Sequence, residues 1–173
     1  MKVSDVNTTD IKDAIRLGCR VMCRCFNADD NNVPYFRAII HPNPFLGISM
    51  ESHVPGRHLN ALLNAENATD ITLCESCIQN HEKATFFSYS GSVPLPLGRV
   101  NTDNFSARSI EEVPIVKSPK RYFGPHDTRE GFHALYSLVK YRNSSKAEKL
   151  AEASINAIFQ YWNPTTEWDY DRL

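Results

Sequence analysis

Apolar side chains recur at helical spacing in five stretches of this chain, separated by segments with no such period. Ile11, Ile15, Cys19, Met22 and Phe26 keep the three-to-four-residue interval, which predicts a first helix over about 9–26, capped by Thr8 or Thr9. A second helix starts near Pro55, whose missing donor suits a first turn. Leu59, Leu62, Leu63 and Glu66 share one side of it, and Arg57, Asn60 and Asn64 another. A turn at 67–70 leads to a third helix over about 71–84, capped by Asp70 or by a Thr72–Glu75 box. The fourth helix starts at Asp127, with Glu130 three residues on in a capping-box pattern. Its apolar face runs through Phe132, Leu135, Leu138, Val139 and Arg142, and a second face carries His133, Tyr136 and Lys140. The fifth begins after Ser145, with Glu148 at the same spacing. It carries a buried stripe of Ile155, Ile158, Phe159 and Trp162 and is ended by Asn163-Pro164.

The segments between are polar or rich in proline. Residues 27–32 form a turn, 35–40 a short extended piece, and 46–54 an irregular approach to the second helix. Prolines at 42 and 44 exclude a helix there. Residues 85–126 form a long irregular loop inside a single domain spanning 1–173. A loop this long is expected to hold short strands, best placed at 86–89 and 112–116, and to shape a binding site.

Two of the helices open alike. Gly56-Arg-His58 and Gly131-Phe-His133 each begin a helical run, and each run is followed by an asparagine-containing turn and a second helix. Repetition of this kind points to stacked antiparallel hairpins burying a shared core. The fold class expected is therefore mainly α, with a small β element in the middle loop.

Composition adds exclusions. A formal net charge of −1 with no basic stripe argues against a nucleic-acid partner. No apolar run approaches the length of a membrane span, and residues 1–10 lack the apolar core of a secretion signal, so the expected location is cytoplasmic and no membrane partner is expected. The Asn-x-Ser/Thr sequences at Asn7, Asn67, Asn104 and Asn143 are then read as turn chemistry or chance. The five cysteines include a Cys74-x-x-Cys77 pair and a Cys19, Cys23, Cys25 cluster. A zinc or redox protein is one reading. The stronger one places Ile71, Cys74, Cys77 and Ile78 on one buried helical face, and Ile15, Cys19, Met22, Cys23 and Phe26 on another, with no metal and no cofactor.

The segments Glu51-Ser52-His53-Val54-Pro55-Gly56-Arg57-His58-Leu59-Asn60-Ala61-Leu62-Leu63 and Asp127-Thr128-Arg129-Glu130-Gly131-Phe132-His133-Ala134-Leu135-Tyr136 resemble elements of uncharacterised α/α-toroid proteins related to six-hairpin glycosidases and polysaccharide lyases. The resemblance covers about three quarters of the chain. It implies a carbohydrate-processing ancestry, in which an acidic general acid and an aromatic-lined cleft act on a sugar. Five long helices make fewer hairpins than the six of a closed toroid. The expectation is an N-terminal portion of a toroid, with self-association or a missing C-terminal part to cover its inner faces.

Three polar clusters carry the candidate chemistry. Glu51 and His53, just before a helix start, can present a carboxylate and an imidazole to one cavity, and Arg57 suits an anionic sugar group. His58 and Asn60 extend this binding surface. His126, Asp127, Arg129 and His133 form the second cluster, although Asp127 also reads as a plain helix cap. Trp168 and Asp169 lead the third, flat rings for stacking and a carboxylate for hydroxyls, with Tyr136 as a further aromatic. The roles expected are Glu51, His53, Asp127 and His133 in acid–base chemistry. Arg57, His58, Asn60, His126, Arg129, Tyr136, Trp168 and Asp169 are expected to hold an oligosaccharide. The competing reading is a helical scaffold or carbohydrate-binding module without turnover, with a groove lined by Tyr136, Trp162 and Trp168.

Overall fold

The computed structural model describes residues 10–28, 31–35, 38–39, 45–46, 51–99 and 121–173. Most of these are helical: α1 (Ile11–Met22), α2 (Val54–Ala68), α3 (Glu75–Ser88), α4 (Pro125–Arg142) and α5 (Ser145–Tyr161). Among the described residues eight short strands pair as four antiparallel ribbons: β1 (Phe26–Asn27) with β2 (Val33–Pro34), β3 (Ala38–Ile39) with β4 (Phe45–Leu46), β5 (Leu97–Arg99) with β6 (Arg121–Phe123), and β7 (Trp162–Asn163) with β8 (Glu167–Trp168). The protein is mainly α, as the periodicity predicts. No helix among the described residues is long and apolar enough to cross a membrane.

Helices α2 and α4 are the centre of the fold, and they run side by side in the same direction. Their N-terminal turns meet where Arg57 Nε lies 3.4 Å from Glu130 Oε1. Their C-terminal turns meet through Arg142 Nη2 to Glu66 Oε2 at 2.7 Å, and through the Tyr141 hydroxyl donating to Asn64 Oδ1 at 2.6 Å. Between these clamps Leu59, Leu62 and Leu63 of α2 are buried against Ala134, Leu135 and Leu138 of α4. The five leucines, at about 1.5–3 kcal/mol each for full burial, give this seam most of its stabilisation. Helices α3 and α5 follow α2 and α4 as return helices and complete the core with Cys77, Ile78 and Ala147. A second, smaller core joins Val93 and Leu95 to Ala157 of α5, with Phe123, Trp168 and Leu173 packed on it.

Local chemistry explains most boundaries. Asp10 caps α1 by accepting from Lys12 N at 2.8 Å, so the helix starts later than the expected Thr8 or Thr9 cap. It stops at Met22, leaving Phe26 to β1. Asn143 takes a left-handed conformation (φ 51°) that ends α4, and the Ser144 side chain accepts from Ala147 N to start α5, one residue ahead of the expected Ser145 cap. Pro125 opens α4 two residues before the expected Asp127, with Gly124 as the cap residue, so the Asp127–Glu130 pair is not a capping box.

Other expectations are corrected. Helix α3 starts at Glu75 rather than Ile71, with Cys74 as its cap residue, so Ile71 and Cys74 do not lie on its buried face, and Cys74 is exposed. Neither Asp70 nor a Thr72–Glu75 box begins it. Residues 86–88 are the last turn of α3, not a strand, because Ala84, Thr85 and Ser88 keep the buried helical face and Phe86 packs on the core while Phe87 stays exposed; the strand expected at 112–116 lies outside the described residues. The stripe expected on α5 is largely at the surface: Ile155 is 46% exposed, Phe159 79% and Trp162 41%. The buried positions of α5 are the small residues Ala147, Ser154 and Ala157, which let it approach the rest of the fold closely. The chain after α5 folds back as the β7–β8 ribbon, its turn held by Asn163 Oδ1 accepting from Thr165 N and Thr166 N.

Gly56 sets the spacing of α2 and α4. A Cβ there would fall 1.9 Å from the Glu130 carbonyl oxygen and 2.7 Å from its carbon, and backbone cannot yield as a side-chain tip can. Gly56→Ala should therefore force the helices apart and cost at least about 2–3 kcal/mol, at the upper end of overpacking penalties. Gly18→Ala on α1, where nothing lies within 4 Å, should stabilise by about 0.5–1 kcal/mol through helix propensity. Urea denaturation of the two variants checks this, and equal stabilities would show that the crossing does not depend on glycine.

Candidate functional site

The N-terminal ends of α2 and α4 bring two of the three sequence clusters together. Glu51, Ser52 and His53 form a buried turn leading into α2, and Arg57 projects from its first turn to the surface. From α4, Asp127 and Glu130 are buried, while His126, Arg129 and His133 are exposed. The spacing 126, 130, 133 is one helical face, which is why these three side chains converge.

Glu130 is the hub. Its Oε1 takes the guanidinium of Arg129, the preceding residue, Arg57 Nε at 3.4 Å and His126 Nε2 at 3.7 Å, and its Oε2 faces His133 Nδ1 at 3.6 Å. The carboxylate is 2% exposed, whereas the two guanidiniums are 53% and 58% exposed. Burial alone would raise its pKa. The hydrogen bond from Arg129 and the charges of Arg57 and Arg129 outweigh it, so the group stays ionised below the usual carboxylate range.

Asp127, one turn earlier, behaves in the opposite way. Its Oδ1 lies 3.6 Å from His53 Nδ1, with both side chains buried. Burial pushes its pKa up, and His53, Ser52 and His126 only partly offset that. His53 is held below the ordinary histidine value, first by burial and then by the charge of Arg57. The His53 and His126 rings sit 4.8 Å apart. Two carboxyl groups on one helix face thus have their proton affinities driven apart, the arrangement that separates a proton donor from a permanent anion.

His53, His126 and Glu130 each offer one ligand atom, all within 4.8 Å of one another, and are the group best placed to hold a metal ion among the described residues. The two guanidiniums on Glu130 oppose a cation there, since each would lie within a few ångströms of it. The cysteines form no comparable three-ligand group among the described residues.

Glu51, His53, Asp127, His133, Arg57, His126 and Arg129 therefore gather at one end of the α2–α4 pair. The five other expected binding residues do not. Asn60 lies a turn further along α2, where its side-chain oxygen accepts from Asn64 at 2.8 Å. Tyr136 is exposed on α4 with the Lys140 ammonium 5.4 Å over its ring. His58 turns away to Cys25, whose Sγ is 3.6 Å from His58 Nδ1, and to the edge of the His81 ring at 5.0 Å. His58 and His133 thus occupy unlike surroundings despite matching positions in the two Gly-x-His openings. The helices begin two residues before Gly56 but six before Gly131, so the two openings are out of step.

Trp168 and Asp169 line a separate cavity of about 480 Å³ with Trp162, Tyr170, Asp171 and Arg172. Trp168 packs on Phe123 at 4.6 Å, and Phe123 precedes His126 by three residues. Glu130 is the residue that sequence reasoning undervalued. Its role was legible in the His126, Glu130, His133 periodicity, which a capping-box assignment obscured.

The buried histidines fix a pH dependence. Burial lowers His58 to about 4, and burial with the nearby His58 lowers His81 to about 3. Both are neutral when folded and take up a proton near pH 6.5 when unfolded, so the unfolded chain binds more protons below that pH. Their contribution is complete above pH 6.5 and is lost as pH falls, at about 1.4 kcal/mol per pH unit for each histidine. Between pH 6.5 and 5 unfolding free energies should drop as pH falls, with His53 acting in the same sense as His58 and His81 and Asp127 in the opposite one, and His58→Gln should remove part of the slope. A flat profile in this window would mean the rings are already charged in the folded protein.

No protein-family model matches the sequence, and no curated protein or solved structure gives a significant match.

Proposed function

We propose that this protein is carbohydrate-active, performing acid–base chemistry on a sugar at the N-terminal end of α2 and α4. The observation that carries this reading is the opposed environments of Asp127 and Glu130, one holding its proton above the usual carboxylate range and the other kept ionised by Arg129 and Arg57. Glycoside cleavage by hydrolysis or elimination needs such a division of labour, a proton donor for the leaving oxygen beside a base or charge stabiliser. In this reading Asp127 is the donor, oriented by His53 and Ser52. Glu130, with His133 beside it, is the anion, and Glu51 lies in the same buried turn as His53. Arg57, Arg129 and His126 present exposed cationic or donor groups around this carboxylate, suited to a uronate or other acidic sugar. The aromatic cavity of Trp162, Trp168 and Tyr170, with the carboxylates of Asp169 and Asp171, supplies flat rings and hydroxyl acceptors of the kind a sugar chain uses.

The proposed architecture is a set of α/α-toroid hairpins, α2 and α4 being neighbouring inner helices and α3 and α5 their outer returns. The parallel course of α2 and α4 supports it, because inner helices of successive hairpins run in one direction. A cytoplasmic location is part of the same proposal.

The test is a panel of neutral and uronic oligosaccharides, scored by reducing-end release and by absorbance of an unsaturated uronate product. Asp127→Asn and Glu130→Gln should each lower turnover about 10²–10⁴-fold, the usual worth of a positioned acid or base, with the circular dichroism spectrum unchanged. Unchanged turnover in both variants would sink this assignment. Binding without turnover anywhere on the panel would replace it with the non-catalytic carbohydrate-binding reading.

A further inference from the structure

The Cys74-x-x-Cys77 pair lies outside the acid–base cluster, and its geometry is independent of that reading. Cys74 is the cap residue of α3, with an extended backbone (φ −73°, ψ 118°) and an exposed side chain. Cys77 lies one turn on and is buried, and its N–H donates to the Cys74 carbonyl at 3.0 Å. One turn of this kind sets the Cα atoms about 5 Å apart, inside the window a disulfide requires. One thiol is thus open to solvent, and the other is buried one helical turn on.

The two thiols also differ in readiness to react. Cys74 Sγ is 3.0 Å from Ser76 Oγ, and this contact, with the backbone N–H groups of Cys77 and Ser76, holds its pKa below the ordinary thiol value. The N-terminal dipole of α3 acts in the same direction. Burial pushes Cys77 well up, and the Cys23 thiol rests against it. Cys74 is therefore the thiol that ionises more readily, and Cys77 the one that burial keeps protonated.

Cys74 also opens onto a cavity of about 490 Å³ that is lined by Arg16, Arg20 and Arg24, three arginines at four-residue intervals. Arg16 is held by Asp13 at 2.9 Å and Asp70 at 3.4 Å. Arg20 and Arg24 have no carboxylate partner among the described residues. The approach to the thiolate is therefore lined by two uncommitted cations.

We infer that Cys74 and Cys77 form a dithiol–disulfide couple that exchanges with an anionic low-molecular-weight disulfide seated against Arg20 and Arg24. The Cys74 thiolate attacks one sulfur of that disulfide, forming a mixed disulfide and expelling the first thiolate. Cys77 then attacks Cys74 Sγ and expels the second, its proton passing to the leaving sulfur. One small disulfide is reduced to two thiols, and the protein gains one disulfide, with two electrons transferred.

The reduced full chain, treated with oxidised glutathione, alkylated and mapped by peptide mass spectrometry, tests this. The expected product is a Cys74–Cys77 disulfide with two glutathiones released. Cys77→Ala should arrest the reaction as a glutathione adduct on Cys74, and Cys74→Ser, at an exposed position where folding is not at stake, should slow thiol loss at least tenfold. Cationic cystamine should react several-fold more slowly than oxidised glutathione at low salt, and Arg20→Ala with Arg24→Ala should erase that difference. A Cys23–Cys77 disulfide, wild-type reactivity in Cys74→Ser, or no disulfide at all would overturn the couple. Equal rates with the two reagents would overturn the anionic partner.

Discussion

The backbone contact of Gly56 with Glu130 is the constraint on which the rest depends. Two helices approach this closely only where one lacks a side chain, and here the bare position is in the first turn of α2. The contact fixes both separation and register, so Arg57, next in sequence to Gly56, reaches the Glu130 carboxylate, and His53 reaches Asp127. At the far end Arg142 with Glu66 and Tyr141 with Asn64 stop the pair from splaying. Much of the site therefore rests on two helices packed along their whole length, a footing more rigid than loops provide.

That rigidity gives the electrostatics their meaning. Asp127 and Glu130 are three residues apart on one helix, both buried, and both near a helix N-terminus whose dipole favours anions. Burial acts on both in the same sense. The difference is the partner: Glu130 has two always-charged guanidiniums, whereas Asp127 has a histidine that burial keeps from charging. A charged partner offsets desolvation, and a neutral one does so only weakly. The contrast follows from which side chains of α2 fall opposite each position of α4.

Elsewhere the fold uses small or polar residues where the sequence pattern led to larger ones. Helix α5 buries Ala147, Ser154 and Ala157, and Ser154 donates to the Pro94 carbonyl, tying the segment after α3 to this helix. Gly131 serves a related purpose, since a Cβ there would meet the Tyr89 hydroxyl at 2.4 Å and Pro96 Cγ at 2.8 Å. These close approaches hold residues 89–96, which follow α3, against α4 and α5. Periodicity in apolar side chains does not register such contacts, because close packing of backbone favours the smallest residue at the contact.

Helical character, the five helices of the described residues, and the leucine faces of α2 and α4 were present in the chain's periodicity, since a repeat of three to four residues is a local property that packing then exploits. The Asn143 turn and the proline start of α2 were legible for the same reason, each being a backbone preference of one residue, whereas α4 starts at Pro125, two residues before the expected Asp127. The start of α3 was not legible, because Cys74 is a weak cap that only the surrounding contacts select. The convergence of Glu51 or His53 with Asp127 or His133 was expected from the paired helix openings, but the place of Glu130 at its centre, reached by Arg57, and the parting of His58 from His133 were not. These join residues more than seventy positions apart, or separate residues whose local sequences match. Proximity of that kind depends on the direction and spacing of whole helices, which a glycine-to-backbone contact decided in three dimensions.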